Sequence, residues 1–103
     1  MDLSLTTPVV ETETTNHYKI LDVAIGNCED ENGPYASVTV SCGELSGEEY
    51  TENSTERIRV STEDVATYLG ALADNSLSIL DNLKKALFTA MQANGDLGAG
   101  TIS

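Results

Sequence analysis

Apolar residues recur every three or four positions from 76 to 94, and nowhere else in the chain does one period hold for so long. Leu80, Leu83, Leu87, Ala90 and Asn94 fall on one helical face, and Ile79, Ala86 and Met91 widen it. Asp81, Asn82, Lys84, Lys85 and Gln92 lie mostly off that face. Gly95 follows the last periodic residue, where a left-handed C-cap forms. At ~1.5 Å per residue such a helix is about 28 Å long, the width of a small domain. We expect it to organise the core, with Asp74 or Asn75 as its N-cap. A shorter helical stripe precedes it, formed by Val65, Tyr68, Leu69 and Leu72. Ser61 or Thr62 is its expected N-cap, because Ser61-Thr62-Glu63-Asp64 has the form of a capping box with acids in the first turn.

Upstream the period changes from about 3.6 to 2. Residues 18–26 place Leu21, Val23 and Ile25 on one face and Tyr18, Ile20 and Ala24 on the other, interrupted by Asp22. Residues 35–42 place Ala36, Val38, Val40 and Cys42 inward and Ser37, Thr39 and Ser41 outward, the half-buried antiparallel pattern. Between them residues 27–34 predict a turn at Asn32-Gly33, with Pro34 blocking continuation. Residues 43–55 are polar and glycine-bearing, and predict at most a short strand around Tyr50. Residues 56–60 predict a third strand with Ile58 and Val60 inward and Arg57 and Arg59 outward.

Residues 1–16 are rich in Thr and Glu and interrupted by Pro8, with Val9 and Val10 as the paired apolar residues. We read them as an extended arm, either a tail without fixed structure or a strand added to a neighbour's sheet edge. Residues 95–103 carry three glycines in six positions and predict a flexible tail anchored by Leu97 and Ile102. The expected fold is α+β: a three- or four-stranded antiparallel meander packed on two C-terminal helices. It divides into an arm (1–16), a body (17–94) and a glycine-rich tail (95–103).

Charge narrows the function classes. Five Lys and Arg against seventeen Asp and Glu leave a net charge of −12 on 103 residues. Phosphate backbones repel such a chain, so direct nucleic-acid binding is not expected. An anionic membrane surface fits equally poorly, and no apolar run approaches the ~18 residues of a spanning helix. The first ten residues lack the basic and apolar regions of a signal peptide. The expected compartment is the cytoplasm or a particle assembled there.

Candidate chemistry is sparse. Cys28 and Cys42 lack metal-ligand spacing. A hairpin turning near Glu31 and Asn32 sets Cys42 opposite about Ile20, which disfavours a disulfide. The run from Cys28 to Gly33 is acidic, but a calcium loop needs carboxylates at its first and twelfth places, where Cys28 and Thr39 stand. Asp74-Asn75-Ser76-Leu77 has the outline of a carrier-protein serine, but half of the chain reads as strand. His17 reads as a surface histidine without a nucleophile partner. Glu48, Glu49 and Glu52 read as a solvated loop, and Asn53-Ser54-Thr55 as a chance sequon. No catalytic residue, cofactor, metal or small-molecule substrate is expected.

The two ends carry a further pattern. Leu5-Thr6-Thr7-Pro8-Val9, of the type L-x-x-P-V, leads into Tyr18-Lys19-Ile20-Leu21, and the chain closes on Gly98-Ala99-Gly100-Thr101-Ile102 after its amphipathic helix. In outline this resembles small virion or tail-region structural proteins of bacteriophages and prophages. The resemblance implies a non-enzymatic, multi-copy subunit of a virion, assembled in the host cytoplasm. Its expected partners are other virion structural proteins and copies of itself. On that reading the arm and tail make the contacts, through Pro8, Val9, Val10, Leu97, Thr101 and Ile102. The alternative is a small acidic inhibitor or nucleic-acid mimic that binds a basic host protein.

Overall fold

The structure, a computed structural model, describes residues 1–25 and 35–103. Four strands, β1 (Leu3–Val10), β2 (Thr14–Ile25), β3 (Tyr35–Ser46) and β4 (Glu49–Ser61), are followed by helices α1 (Thr62–Leu72) and α2 (Ile79–Ala93) and a last strand, β5 (Gly100–Ile102). The fold is α+β, as the change of period predicts. The strands form one antiparallel sheet in the order β4-β3-β2-β1-β5. The helices join the strand at one edge to the strand at the other, so this connection crosses the whole sheet. Five strands ~4.8 Å apart span about 19 Å, and fifteen residues of α2 span about 22 Å. One helix is therefore long enough to cover the width of the sheet.

The core lies between α2 and one sheet face. Leu3, Tyr18, Ile20, Ala36, Val38, Val40, Ile58 and Val60 meet Leu87, Phe88, Ala90 and Met91 there. α1 packs on α2 and touches β4. None of its residues is fully buried, and Leu69, expected in its stripe, is exposed.

Both chain ends differ from expectation. Residues 1–16 are extended, but β1 is an interior strand of this sheet, paired with β2 on one side and β5 on the other. Leu3 is fully buried, and Leu3 and Leu5 both pack at the core. Their alternation with Ser4 is the period-2 signal that Pro8 and the threonines obscure. The glycine-rich tail also joins the sheet. Asp2 and Ser103 exchange backbone hydrogen bonds of 2.8 and 3.0 Å, and the Thr6 N–H donates to Ala99 at 2.9 Å. A side chain at Gly100 would meet the Ser4 carbonyl, so the close approach of β5 needs glycine there.

Two further strands depart from simple alternation. A bulge between Ile20 and Asp22 inserts Leu21 and reverses the parity of β2. Tyr18, Ile20 and Val23 thus share the helix face opposite Cys42, Val40 and Val38, although strict alternation sets Val23 against the other two. Cys42 lies opposite Tyr18, two positions from its expected place. The polar stretch 43–55 is not a loop: β3 and β4 pair to their ends around Gly47 and Glu48. Gly47 has φ +62°, and no other residue type has positive φ among the described residues, the geometry of a type II′ hairpin.

The long helix ends as expected and starts later. Gly95 has φ +82°. The Gly95 and Asp96 N–H groups donate to Gln92 and Met91, a Schellman motif. Its N-cap is Ser78, whose hydroxyl accepts from the Asp81 N–H at 3.1 Å. Asp74 instead accepts from the backbone and hydroxyl of Ser76 at 2.9 and 2.7 Å, which closes a separate turn before the helix. Ser61 is the N-cap of α1 by position, but its side chain makes no capping bond.

Candidate functional site

With both helices on one face, the other face of the sheet is bare of elements among the described residues and carries its polar chemistry. The pairing of Ser4 with His17 and of His17 with Gly43 puts His17 near the centre of this face. His17 is buried, contrary to its reading as a surface residue. Its Nδ1 is 2.9 Å from the Ser4 hydroxyl and its Nε2 is 2.9 Å from Asp2 Oδ2. Tyr50 packs edge-on against the ring, with centroids 5.6 Å apart, and Lys19 Nζ lies 4.6 Å from the Tyr50 ring centroid. The Tyr50 hydroxyl is 2.6 Å from that of the buried Ser41. Asp2 and Ser4 reach one histidine because period 2 puts both on the same face of β1. That juxtaposition is legible only once residues 1–10 are known to be a strand beside His17.

Aspartate, histidine and serine are the residue types of a hydrolytic relay, so the geometry needs testing against that chemistry. Ser4 sits within β1, paired with His17 on one side and Thr101 on the other. The local backbone is thus committed to two ladders and does not turn donors toward a developing oxyanion. The ring nitrogen facing the serine is Nδ1, the reverse of the usual orientation. What this arrangement does is tie the N-terminus to β2 with each polar group satisfied. Beside it β1 departs from its ladder between Ser4 and Val9, opposite Asn16. The Asn16 side chain bridges to the Leu45 backbone, accepting at 2.8 Å and donating at 3.2 Å. A groove of about 280 Å³ opens there, lined by Pro8, Asn16, His17 and Leu45.

The six expected contact residues do not form one site. Pro8, Val9 and Val10 lie at the β1–β2 hairpin end, where Val9 is 45% and Val10 72% exposed. Leu97 is part of the core and presents no surface for a partner. Ile102 packs half-buried against the core, and Thr101 is exposed on the edge strand.

A second apolar surface lies at the opposite end of β2, unforeseen by the periodicity. Leu21 is 55%, Ile25 69%, Ile79 90% and Leu80 57% exposed. Leu21 and Leu80 both line a groove of about 370 Å³, together with Val23, Leu83, Asp22 and Lys84. The β2 bulge and the first turn of α2 create it. The apolar stripe of the helix continues one turn beyond the core that covers it.

Among the described residues no group of three or more His, Cys, Asp or Glu side chains could hold a metal ion, and no helix is long and apolar enough to cross a membrane. The acidic run 28–33 and Cys28 lie outside the described residues. Burial pushes the Cys42 thiol above its ordinary pKa, and nearby Glu56 adds to the shift. Burial raises the Tyr50 and Tyr18 hydroxyls as well. No family model, curated protein or solved structure matches the chain.

Proposed function

We propose that this chain is a non-enzymatic structural subunit of a bacteriophage particle, assembled in the host cytoplasm and in contact with other virion proteins and with copies of itself. The observation that carries this reading is the presence of exposed apolar surface at both ends of β2: Val9 and Val10 at one end, and Leu21, Ile25, Ile79 and Leu80 at the other. Contiguous apolar surface on a small domain marks interaction sites, and two of them suit a subunit with more than one neighbour. The outline resemblance of Leu5 to Val9 and Gly98 to Ile102 to small virion proteins supports the particle. The arm and tail no longer motivate it, because both belong to the sheet. The contacts move to the hairpin end, where Pro8, Val9 and Val10 remain available, and to Thr101 on the edge strand. Quantitative mass spectrometry of purified particles tests the reading. The expected result is a fixed copy number relative to the major capsid or tail-tube protein, in the hundreds for decoration or ring-like for a neck or baseplate. Absence from the particle overturns it.

One observation favours the acidic-inhibitor reading. At the Pro8–Val10 end the turn ends of the two hairpins, residues 8–16 and 44–53, carry Glu11, Glu13, Glu44, Glu48, Glu49 and Glu52 without a lysine or arginine. They are held side by side by Asn53 donating to the Thr14 carbonyl at 2.8 Å. Such an end suits a basic protein surface. That reading expects salt-sensitive binding of one basic host protein and no protein in particles.

A further inference from the structure

We infer that the groove between β2 and the start of α2 receives a second copy of this chain, in a two-fold symmetric dimer. This deepens the reading of that end as a contact surface by naming its occupant. The stripe of α2 is longer than the core beneath it: Leu87 and Ala90 are buried and Leu83 is half-buried at the groove, whereas Leu80 on the same face is open. The helix face of β2 likewise continues past Val23 to the exposed Ile25. Apolar surface from two different elements therefore meets at one end with no element of this chain covering it among the described residues.

Charge selects the occupant. The chain has net charge −12, so two copies repel wherever acids meet acids. The groove is different, because its rim holds one of each sign, Asp22 and Lys84. A basic partner meets Lys84 and an acidic partner meets Asp22. A second copy turned about a two-fold axis presents Asp22 to Lys84 and Lys84 to Asp22, which satisfies both around the leucines. An isologous contact needs such self-complementarity, and the leucines supply the apolar centre that interfaces place inside a polar rim.

The dimer has a recognisable salt response. Its two rim pairs are short-range, whereas the repulsion between copies is long-range and is screened over a Debye length of ~10 Å at 0.1 M salt. Added salt therefore strengthens association, the opposite of an interface built on charge attraction. Sedimentation equilibrium of the full chain over a concentration series, at low and at high sodium chloride, is the experiment. The expected result is a monomer–dimer equilibrium that shifts toward dimer with salt. Leu80→Glu, at an already exposed position, should weaken the dimer at least tenfold with an unchanged circular dichroism spectrum. Lys84→Glu and Asp22→Lys should each weaken it, and the double exchange should restore most of the loss. A monomer under every condition, or a dimer indifferent to Leu80→Glu, overturns the inference. So does a dimer that both single reversals weaken and the double exchange fails to restore. A monomer that is nevertheless present in particles overturns this dimer and leaves the subunit reading standing. A groove dimer absent from particles does the reverse.

Discussion

Gly43 shows how a single position can be fixed by its neighbour across a strand. It sits opposite His17 on one side and Glu52 on the other, and the Tyr50 ring lies over it. An added methyl would stand 2.7 Å from that ring and against the Thr51 carbonyl. The Tyr50 ring cannot retreat cheaply, because its hydroxyl is bonded to Ser41 and its face carries Lys19. Gly43→Ala is therefore expected to cost about 1–3 kcal/mol by overpacking, read as a lower midpoint in urea. Tyr50→Phe removes the partner of the buried Ser41 hydroxyl and should cost on the order of 1–3 kcal/mol. A midpoint unchanged in both would mean that the ring does not rest where we place it. Cys42 gives a chemical readout in the same region. It is buried and its thiol is held protonated, so little thiolate is available near neutral pH. Iodoacetamide at pH 8 should leave Cys42 unlabelled in peptide maps of the native chain and label it promptly in urea. Native labelling as fast as in urea would show that the β3 core is open.

Among the elements, the ones carried by local pattern were legible and those carried by distant pairing were not. The face of α2 was readable because its period is local, and so was Gly95, because a Schellman end needs a left-handed residue just past the stripe. Its start was misplaced because Asp74 and Ser78 are both good caps, and only the turn that Asp74 closes with Ser76 separates them. In β2 the bulge was signalled by the misplaced Asp22, but its position depends on β3. β1 and β5 are the extreme case. Neither has enough alternating apolar residues to announce itself: β1 is a strand through its pairing with β2 and β5, and β5 through its pairing with β1. The site suffered with them: Asp2 and Ser4 meet His17 only through the β1–β2 register, so no spacing in the sequence could reveal the cluster. The dependence of β5 on β1 is testable. Gly100→Val puts a branched side chain where the Ser4 carbonyl lies, and should lift β5 away without unfolding the remaining sheet. Hydrogen exchange should then accelerate selectively at Thr6, whose N–H donates to Ala99, while amides of the β3–β4 ladder keep their protection. Uniform acceleration would mean that β5 is integral to global stability; no change would mean that the approach is looser than described.

For the whole molecule, the ionisable groups held by burial predict the shape of the pH–stability curve. Cys42, Tyr18 and Tyr50 all have folded-state values raised above their ordinary ones, with burial as the first cause in each. For such a group the folded chain favours the protonated form. Its contribution is fully present below the pKa of the unfolded chain and is lost as pH rises toward the folded-state value. For the cysteine that window opens near pH ~8.5, and for the tyrosines near pH ~10. The acidic limb has a different origin. Asp74 is lowered by its bonds from Ser76, so its contribution exists above the unfolded value near pH ~3.9 and is lost as pH falls below it. Asp74 is exposed on a connection between helices, so this loss is small. Stability should thus hold through neutral pH and fall in two steps on the alkaline side. Urea midpoints at pH 7.5, 9.5 and 11 would trace both steps. Cys42→Ala should remove the fall between the first two points while lowering the whole curve slightly through the lost packing. Tyr50→Phe should leave the first step intact and flatten the second. The carboxylates near these groups, chiefly Glu56 beside Cys42 and Tyr18, act in the same direction as burial. Glu56→Gln should therefore shrink the first step, because it brings the folded-state thiol value closer to the unfolded one while the onset stays where the unfolded thiol titrates. A curve that stays level to pH 11 would show that the thiol and both hydroxyls reach solvent freely, and, for Cys42 and Tyr18, that α2 does not close its face of the sheet.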